Sequence, residues 1–503
     1  MTLDSRTRIF ALARSRANAL SLALLAALAY IPTLASSPGR MPADTKLYLY
    51  LDPGGLLGRS TSTFEPDQFA GWVPHQQITY LWPSGPWFWF FDTLGTPDWI
   101  AHRLWLGTIL FAAGAGARWA AKQVGLTGSA ALTVALIYQL SPFLLPYISR
   151  TSLLLLPWAG LGWIVALTIR ATRSDDATDD RDWRSRLRPW HEPAIIALIV
   201  ATVGSVNATA LALIVPGPVL WLIHAAWQRQ VTWRRATGIA LRVGVLSLAA
   251  SAWWIAMLIV QSKHGAPVLA FSETLGDVSR NSTGSEVFRS LGYWLFYQRN
   301  PIGPTTSTSL DYLVSVWAMA LSYGVILFGL VGLARVSWGE RRFAALLVVT
   351  GFVLAVGVHP IDGSSPLMAL VANDDGSGLA LALRSSTRAT PVFLLGVALG
   401  AGALIQALPA RSTAIRPIPL PSMRTLAAVG IGLMALFNLP ALWEFNLVDE
   451  AIDRDQDLPA AWTDAAAALD AGSTQARVLQ LPGAEFGAFR WGYTTDQPLV
   501  ALT

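Results

Sequence analysis

Residues 6–35 read RTRIFALARSRANALSLALLAALAYIPTLA, so Arg6, Arg8, Arg14 and Arg16 precede an apolar run from 17 to 35. A helix that crosses a bilayer needs about 20 mostly apolar residues. Lys and Arg are retained on the cytoplasmic side of the spans they flank. The segment therefore reads as a first span entered from the cytoplasm. It starts like a secretory leader but runs on into a large loop with no small-x-small site near Ser36 and Ser37, so it is expected to stay attached.

The same pattern recurs along the chain. Apolar stretches of helix length lie at 17–35, 100–121, 127–147, 152–170, 191–206, 208–227, 237–260, 309–333, 343–359, 389–408 and 424–443. Basic residues collect in alternate gaps. Arg118 and Lys122 follow the second stretch, and Arg170, Arg173, Arg181, Arg184, Arg186 and Arg188 follow the fourth. Arg229, Arg234 and Arg235 follow the sixth, Arg335, Arg341 and Arg342 the eighth, and Arg411, Arg416 and Arg424 the tenth. With Arg242, these gaps hold 22 of the 36 Lys/Arg and 8 of the 31 Asp/Glu, against 14 and 23 in the others. The split predicts a cytoplasmic side at about +14 and an outer side at about −9, which the overall +5 conceals.

Composition agrees. The chain is 53% hydrophobic and 13% charged, with mean hydropathy +0.45, whereas a soluble domain carries roughly 25% charged residues. The expected fold class is an all-α polytopic membrane protein of about 11 transmembrane helices with a cytoplasmic N-terminus. The stretch 191–227 is open to a second reading as one broken hairpin, because Pro216 and Pro218 interrupt it. There is no cysteine, so disulfides and thiolate metal sites are excluded. The pI near 9.6 follows from the sorting of charge and implies no nucleic acid. The 170–188 loop mixes Arg with Asp175, Asp176, Asp179, Asp180 and Asp182. It reads as a solvated loop beside anionic lipid headgroups, with docking of an acidic cytosolic partner as the alternative.

Four outward segments exceed plain connectors: 36–99, 261–308, 360–388 and 444–503. Residues 1–443 are expected to form one membrane domain. Residues 444–503 read as the start of an extracytoplasmic soluble domain, with an amphipathic helix at 459–471, a strand at 476–481 and a turn at Pro482–Gly483. No phosphate-binding GxxxxGK[ST] loop, dinucleotide GxGxxG or HExxH occurs; Gly114-x-Gly116 lies inside an apolar span. Few charges fall at mid-span, which counts against a proton-coupled transporter. What remains is an enzyme with an outward site, supplied with activated substrate through the membrane. A lipid-linked sugar flippase and a non-catalytic scaffold for envelope polysaccharide assembly are the alternatives.

In the first outward loop, Asp44 and Lys46 follow directly on the first span. A carboxylate there suits a general base acting on a hydroxyl, and a lysine suits a lipid phosphate. Asp44 reads equally well as the N-cap of a helix starting at Lys-Leu-Tyr-Leu. Asp52 is read as a turn former, and Glu65 and Asp67 are weaker candidates. The loop's aromatic residues, among them Tyr80 and Trp82, read as an interfacial belt, or in part as faces for a sugar. His75, Gln76 and Gln77 add polar groups. Arg384 and Arg388 precede a span, where they would form an anion site or snorkelling anchors. Glu273, Asp277, Arg280, Glu286 and Arg289 would cover a cleft or form a solvated helix face. Nothing has metal-ligand spacing, so the metal is unknown and no cofactor is assigned; a divalent cation is compatible with the carboxylates present.

At these residues the chain resembles the alpha-(1→3)-arabinofuranosyltransferases of mycobacteria and their relatives, which are GT-C glycosyltransferases. The matching stretches are PADTK at 42–46, HQQITYLWPSGP at 75–86, RLW at 103–105 and SVNA at 205–208. EVFRSLGYWLFY at 286–297, LRSSTRA at 383–389 and LPGAEFGAFRWGYTTD at 481–496 continue the match in order. The resemblance implies a multi-pass plasma-membrane enzyme whose site faces the periplasm and cell wall. Its donor would be decaprenyl-phosphoryl-arabinose and its acceptor the arabinan of arabinogalactan or lipoarabinomannan. It puts a catalytic carboxylate at Asp44. The chemistry of the residues themselves assigns the donor phosphate to Lys46, Arg384 and Arg388, and sugar contacts to His75, Gln77, Tyr80 and Trp82. Asp67, Glu273 and Arg289 are secondary candidates. The expected reaction is a single inverting displacement with Asp44 as base. Two departures stand out. The family continues into a large soluble region of carbohydrate-binding character past the position of Thr503. The first loop also lacks the acidic dipeptide of protein mannosyltransferases, and Asp449-Glu450 lies after the last span.

Overall fold

The structure, a computed structural model, describes residues 2–66, 71–74, 77–174, 183–266, 273–300, 303–360, 365, 367, 384–410, 414–415, 418–419, 421–472, 477–481 and 487–502. Among them, eight helices are long and apolar enough to cross a membrane. These are Ser15–Ala35, Asp98–Gln123, Ser129–Ile148, Ser152–Arg173, Ala208–Trp227, Trp233–His264, Val316–Arg335 and Ser386–Ala407. The other three expected spans are helices too. Trp183–Gly204 starts polar and contains Pro189 and Pro193, and Arg341–Val356 and Met423–Phe437 have only 16 and 15 residues.

The ambiguous 191–227 stretch divides at Ser205–Asn207, ahead of the two prolines. Asn207 turns to extended backbone there and caps the next helix, its Oδ1 accepting from Ala210 N at 2.8 Å. That helix jogs once more at Val215, where Pro216 opens a new segment.

Small residues set the helix crossings. A methyl group on Gly162 would lie 2.4 Å from the carbonyl carbon of Gly116, so the Asp98–Gln123 and Ser152–Arg173 helices touch backbone to backbone. Gly116 serves this contact, as small residues do between membrane helices, while Gly114 lies against Gln139 of the Ser129–Ile148 helix. Ser129–Ile148 and Ser386–Ala407, 94% and 89% buried, form the centre of the bundle. Trp233–His264 is only 11% buried and presents its apolar surface outward, as lipid contact requires.

The 36–99 and 444–503 segments meet in a four-stranded antiparallel sheet. Its strands are β1 (Arg40–Pro42), β2 (Asp453–Asp455), β3 (Gly487–Phe489) and β4 (Gly492–Thr494), in the order β1-β2-β4-β3. The start of the first loop is thus hydrogen-bonded to the C-terminal tail. Arg40 reinforces the pairing with a forked contact to Asp453, 2.7 Å on each side, and a third bond of 2.6 Å to Asp455. The tail helix forms at Ala460–Asp470. The strand expected at 476–481 does not form over the described 477–481, where Val478, Leu479 and Leu481 are 60–81% exposed. Among the described residues no strand lies beside that apolar run, so it has no ladder to join. The tail's pairing comes instead from the glycine-bounded hairpin of β3 and β4.

Candidate active site

The 36–99 loop is built around a strained residue. Thr45 has φ +67, in the left-handed region that a β-branched side chain rarely enters. Its surroundings hold it there. The Thr45 hydroxyl donates to the Tyr50 hydroxyl at 2.6 Å, which donates to the Asp44 carbonyl at 2.6 Å. Thr45 N donates to the Arg150 carbonyl at 3.4 Å, and the Thr495 hydroxyl donates to the Thr45 carbonyl. The result turns the Asp44 side chain inward and away from helix capping. Leu47, with no side-chain bond, stands at the N-cap of the short Tyr48–Leu51 helix, so the capping alternative for Asp44 is overturned. Asp52 is the true cap in this loop, accepting from Gly55 N at 2.8 Å.

Asp44 is 1% exposed. Its Oδ1 accepts from Ser152 N at 2.9 Å, and its Oδ2 lies 3.0 Å from His102 Nε2. His102 Nδ1 lies 2.9 Å from Arg103 Nη1. A guanidinium can only donate, so Nδ1 is the acceptor and the proton of a neutral imidazole sits on Nε2, pointing at Asp44. Arg103, fully buried, also donates to the carbonyls of Ser36, Ser37 and Arg40 at 3.1, 3.1 and 2.7 Å. One side chain thus braces the loop's entry and orients the histidine.

Lys46 pairs with Asp496, Nζ to Oδ1 at 2.6 Å, and donates to the Thr495 carbonyl at 3.2 Å. The other oxygen of Asp496 accepts from Leu47 N at 2.6 Å. Tyr80 joins this group. Burial, with the nearby carboxylates of Asp496 and Asp44, holds its hydroxyl well above the usual tyrosine range.

A second group is carried by residues of the 261–308 and 360–388 loops, with Asn207 from the turn before the Ala208–Trp227 helix. Arg388 donates to Asn207 Oδ1 at 3.3 Å and to the Tyr293 hydroxyl at 3.4 Å, with its guanidinium 5.8 Å over the Tyr293 ring. These hydrogen-bond partners are neutral. Arg384 pairs with Glu273 at 3.3 Å, and Ser385 donates to the same carboxylate at 3.2 Å. The segment between two membrane helices links both groups. Tyr147 stacks on Tyr293 with centroids 4.7 Å apart, Arg150 donates to Gln298 at 3.0 Å, and Ser152 holds Asp44.

Asp44, Lys46, Tyr80, Glu273, Arg384 and Arg388 therefore belong to these two linked groups. Others lie apart. Trp82 is 44% exposed, its indole bonded to Thr202 at 3.1 Å. Gln77 is buried in the Gln77–Leu81 helix. Arg289 is fixed in the bundle by Glu286 at 3.0 Å, Ser322 at 2.9 Å and the Tyr312 carbonyl at 2.7 Å, a bracing role. Glu65 faces Arg59 at 3.5 Å. Asp67 and His75 lie outside the described residues. Among the described residues no group of three or more His, Asp or Glu is placed to hold a metal. Sequence reasoning missed His102, Arg103, Arg150, Asn207, Tyr293 and Asp496 as site residues. Most of them lie in the stretches that carry the resemblance, so the signal was present but had no geometry attached.

The comparisons with known proteins agree with this architecture. Residues 28–503 match the family described as "Alpha-(1->3)-arabinofuranosyltransferase, N-terminal GT-C domain". The alpha-(1->3)-arabinofuranosyltransferase of Mycolicibacterium smegmatis is 28% identical over 489 residues, covering 95% of this chain and 33% of the relative. That of Mycobacterium tuberculosis is 30% identical over 496 residues, covering 96% and 34%. The cryo-EM structure of arabinofuranosyltransferase AftD from mycobacteria superposes with a TM-score of 0.70 at 24% identity, covering 96% of this chain and 31% of that one. The chain spans about a third of the length of the curated relatives it matches. Its helices have the GT-C fold, and the chain belongs to the alpha-(1->3)-arabinofuranosyltransferase family, where it corresponds to the N-terminal GT-C domain.

Proposed function

We propose that this chain is a membrane glycosyltransferase that moves arabinofuranose from decaprenyl-phosphoryl-arabinose to cell-envelope arabinan, on the outer side of the plasma membrane. Family membership supports the reaction class. The charge sorting supports the side, because the Asp44 and Arg388 groups both lie in gaps poor in Lys and Arg. Residues 1–443 would form the catalytic membrane domain, and 444–503 the start of the extracytoplasmic region that closes over the first loop.

The observation that carries the reading is Arg388. A cation whose hydrogen-bond partners are neutral, set on an aromatic ring, is suited to a phosphate. It is joined through Tyr293, Tyr147 and the 149–152 turn to an oriented carboxylate. In the reaction the acceptor oxygen attacks the anomeric carbon, the bond to the lipid phosphate breaks, and Asp44 takes the hydroxyl proton. Arg388, assisted by Arg384 and Lys46, holds the phosphate as its charge grows. Fixed cations act most strongly in that transition state. Asp44 is closed off in this structure, so acceptor entry requires the loop and tail to part.

The test is transfer by the purified chain in lipid, with decaprenyl-phosphoryl-arabinose and a short arabinan acceptor. Asp44→Asn should lower turnover by at least about 10²-fold. Equal product from both proteins would remove Asp44 as the base. Its full burial would then mark it as a structural anchor of the loop.

A further inference from the structure

Away from the Asp44 and Arg388 groups, a cavity of about 680 Å³ opens between the end of the Ala208–Trp227 helix and the start of Trp233–His264. Trp227, Arg229, Gln230, Thr232, Trp233 and Arg235 line it. We propose that this cavity binds the headgroup of an anionic phospholipid.

Position is the first argument. The cavity lies where one membrane-length helix ends and the next begins, so it sits at headgroup depth whichever side it faces. Trp227 and Trp233, 65% and 53% exposed, flank it as aromatic residues do at that depth. Charge is the second. Among the described residues that line it, two are arginines and none is a carboxylate. Gln230 donates to Glu340 at 3.3 Å, but Glu340 is turned to His224 at 2.5 Å and Arg173 at 3.8 Å. Arg235 is tethered by one nitrogen to the carbonyls of Ser174 and Ala171, which fixes its guanidinium at the cavity wall. Guanidinium groups match phosphate oxygens in pairs.

The third argument separates a lipid from a free anion. Leu241, Val245 and Leu248 are 64%, 61% and 64% exposed, spaced i, i+4, i+7 along one face of the helix that starts in the cavity. A phosphate in the cavity with its acyl chains on this stripe satisfies both features at once. A free phosphate would use only the first.

The test is native mass spectrometry of the purified, delipidated chain in neutral detergent, titrated with dioleoyl phosphatidylglycerol, dioleoyl phosphatidylcholine or inorganic phosphate. Phosphatidylglycerol adducts should persist at roughly tenfold lower lipid concentration than phosphatidylcholine adducts. Arg229→Glu and Arg235→Gln should each weaken phosphatidylglycerol retention by about fivefold or more, the effect of one basic group at a membrane surface. Arg335→Ala should leave it unchanged. Arg229 is exposed, so its variant is expected to fold even if the tethered Arg235 variant does not. Equal retention of the two lipids, or undiminished retention by folded Arg229→Glu, overturns the proposal. Displacement of phosphatidylglycerol by excess inorganic phosphate also overturns it, by marking the cavity as a free-anion site.

Discussion

His102 presents Nε2 to Asp44 at 3.0 Å while its Nδ1 is occupied by Arg103 at 2.9 Å, so a neutral ring donates to the carboxylate and leaves its negative charge in place. Asp44 is oriented by neutral donors on both oxygens, the second being Ser152 N–H.

His102 is therefore expected to act through position alone. A glutamine can donate to Asp44 from its amide nitrogen and accept from Arg103 on its oxygen. His102→Gln should keep transfer within a few-fold of wild type, and His102→Leu should lower it by about 10-fold or more, leaving an unpaired buried guanidinium donor. Turnover measured against pH distinguishes the two. Loss of activity in the glutamine variant, with folding intact, would mean that the imidazole itself is required.

The Lys46–Asp496 pair fastens the tail onto the first loop, with side chains only 17% and 9% exposed. Removing one member leaves the other charge largely buried, so Lys46→Ala and Asp496→Ala should each cost about 3 kcal/mol. The double variant should cost less than their sum, by about 1 kcal/mol or more. Thermal unfolding in detergent measures this, and additive effects would show that the pair does not couple loop to tail.

Arg388→Lys keeps a charge but loses the planar group that reaches Asn207 and Tyr293 together. The donor KM should rise by roughly tenfold with a smaller change in kcat, since a point charge replaces a two-point contact. A donor titration with an unchanged KM would remove Arg388 from the phosphate site.

Two glycines should respond in opposite ways. At Gly162, inside the crossing with Gly116, alanine has no room and should destabilise by about 1–3 kcal/mol. At Gly238, on the outward helix with nothing within 4 Å, alanine should stabilise by about 0.5–1 kcal/mol. Paired unfolding measurements of the two variants check the sign of each.

Helix-length apolar runs were legible one by one because membrane insertion is decided span by span. The helix at Ala460–Asp470 was legible for a similar local reason. The strand at 476–481 was misplaced because an apolar run does not name its partner, and pairing went to the hairpin beside β2. Asp44 and Arg388 drew notice as charges at the edges of spans. His102 did not, because from sequence a histidine one turn into an apolar helix reads as core.

The sequence by itself determined that this chain is a helical membrane protein, where its long helices run, and which family it belongs to. Each of those rests on local apolarity, charge or ordered motifs. Tertiary structure alone decided that Asp44 faces His102, that Lys46 is paired to a residue 450 positions later at Asp496, and that Arg388 sits on Tyr293. Those contacts join segments far apart in the chain. They are set by which helices pack and which strands pair, and no local propensity encodes them.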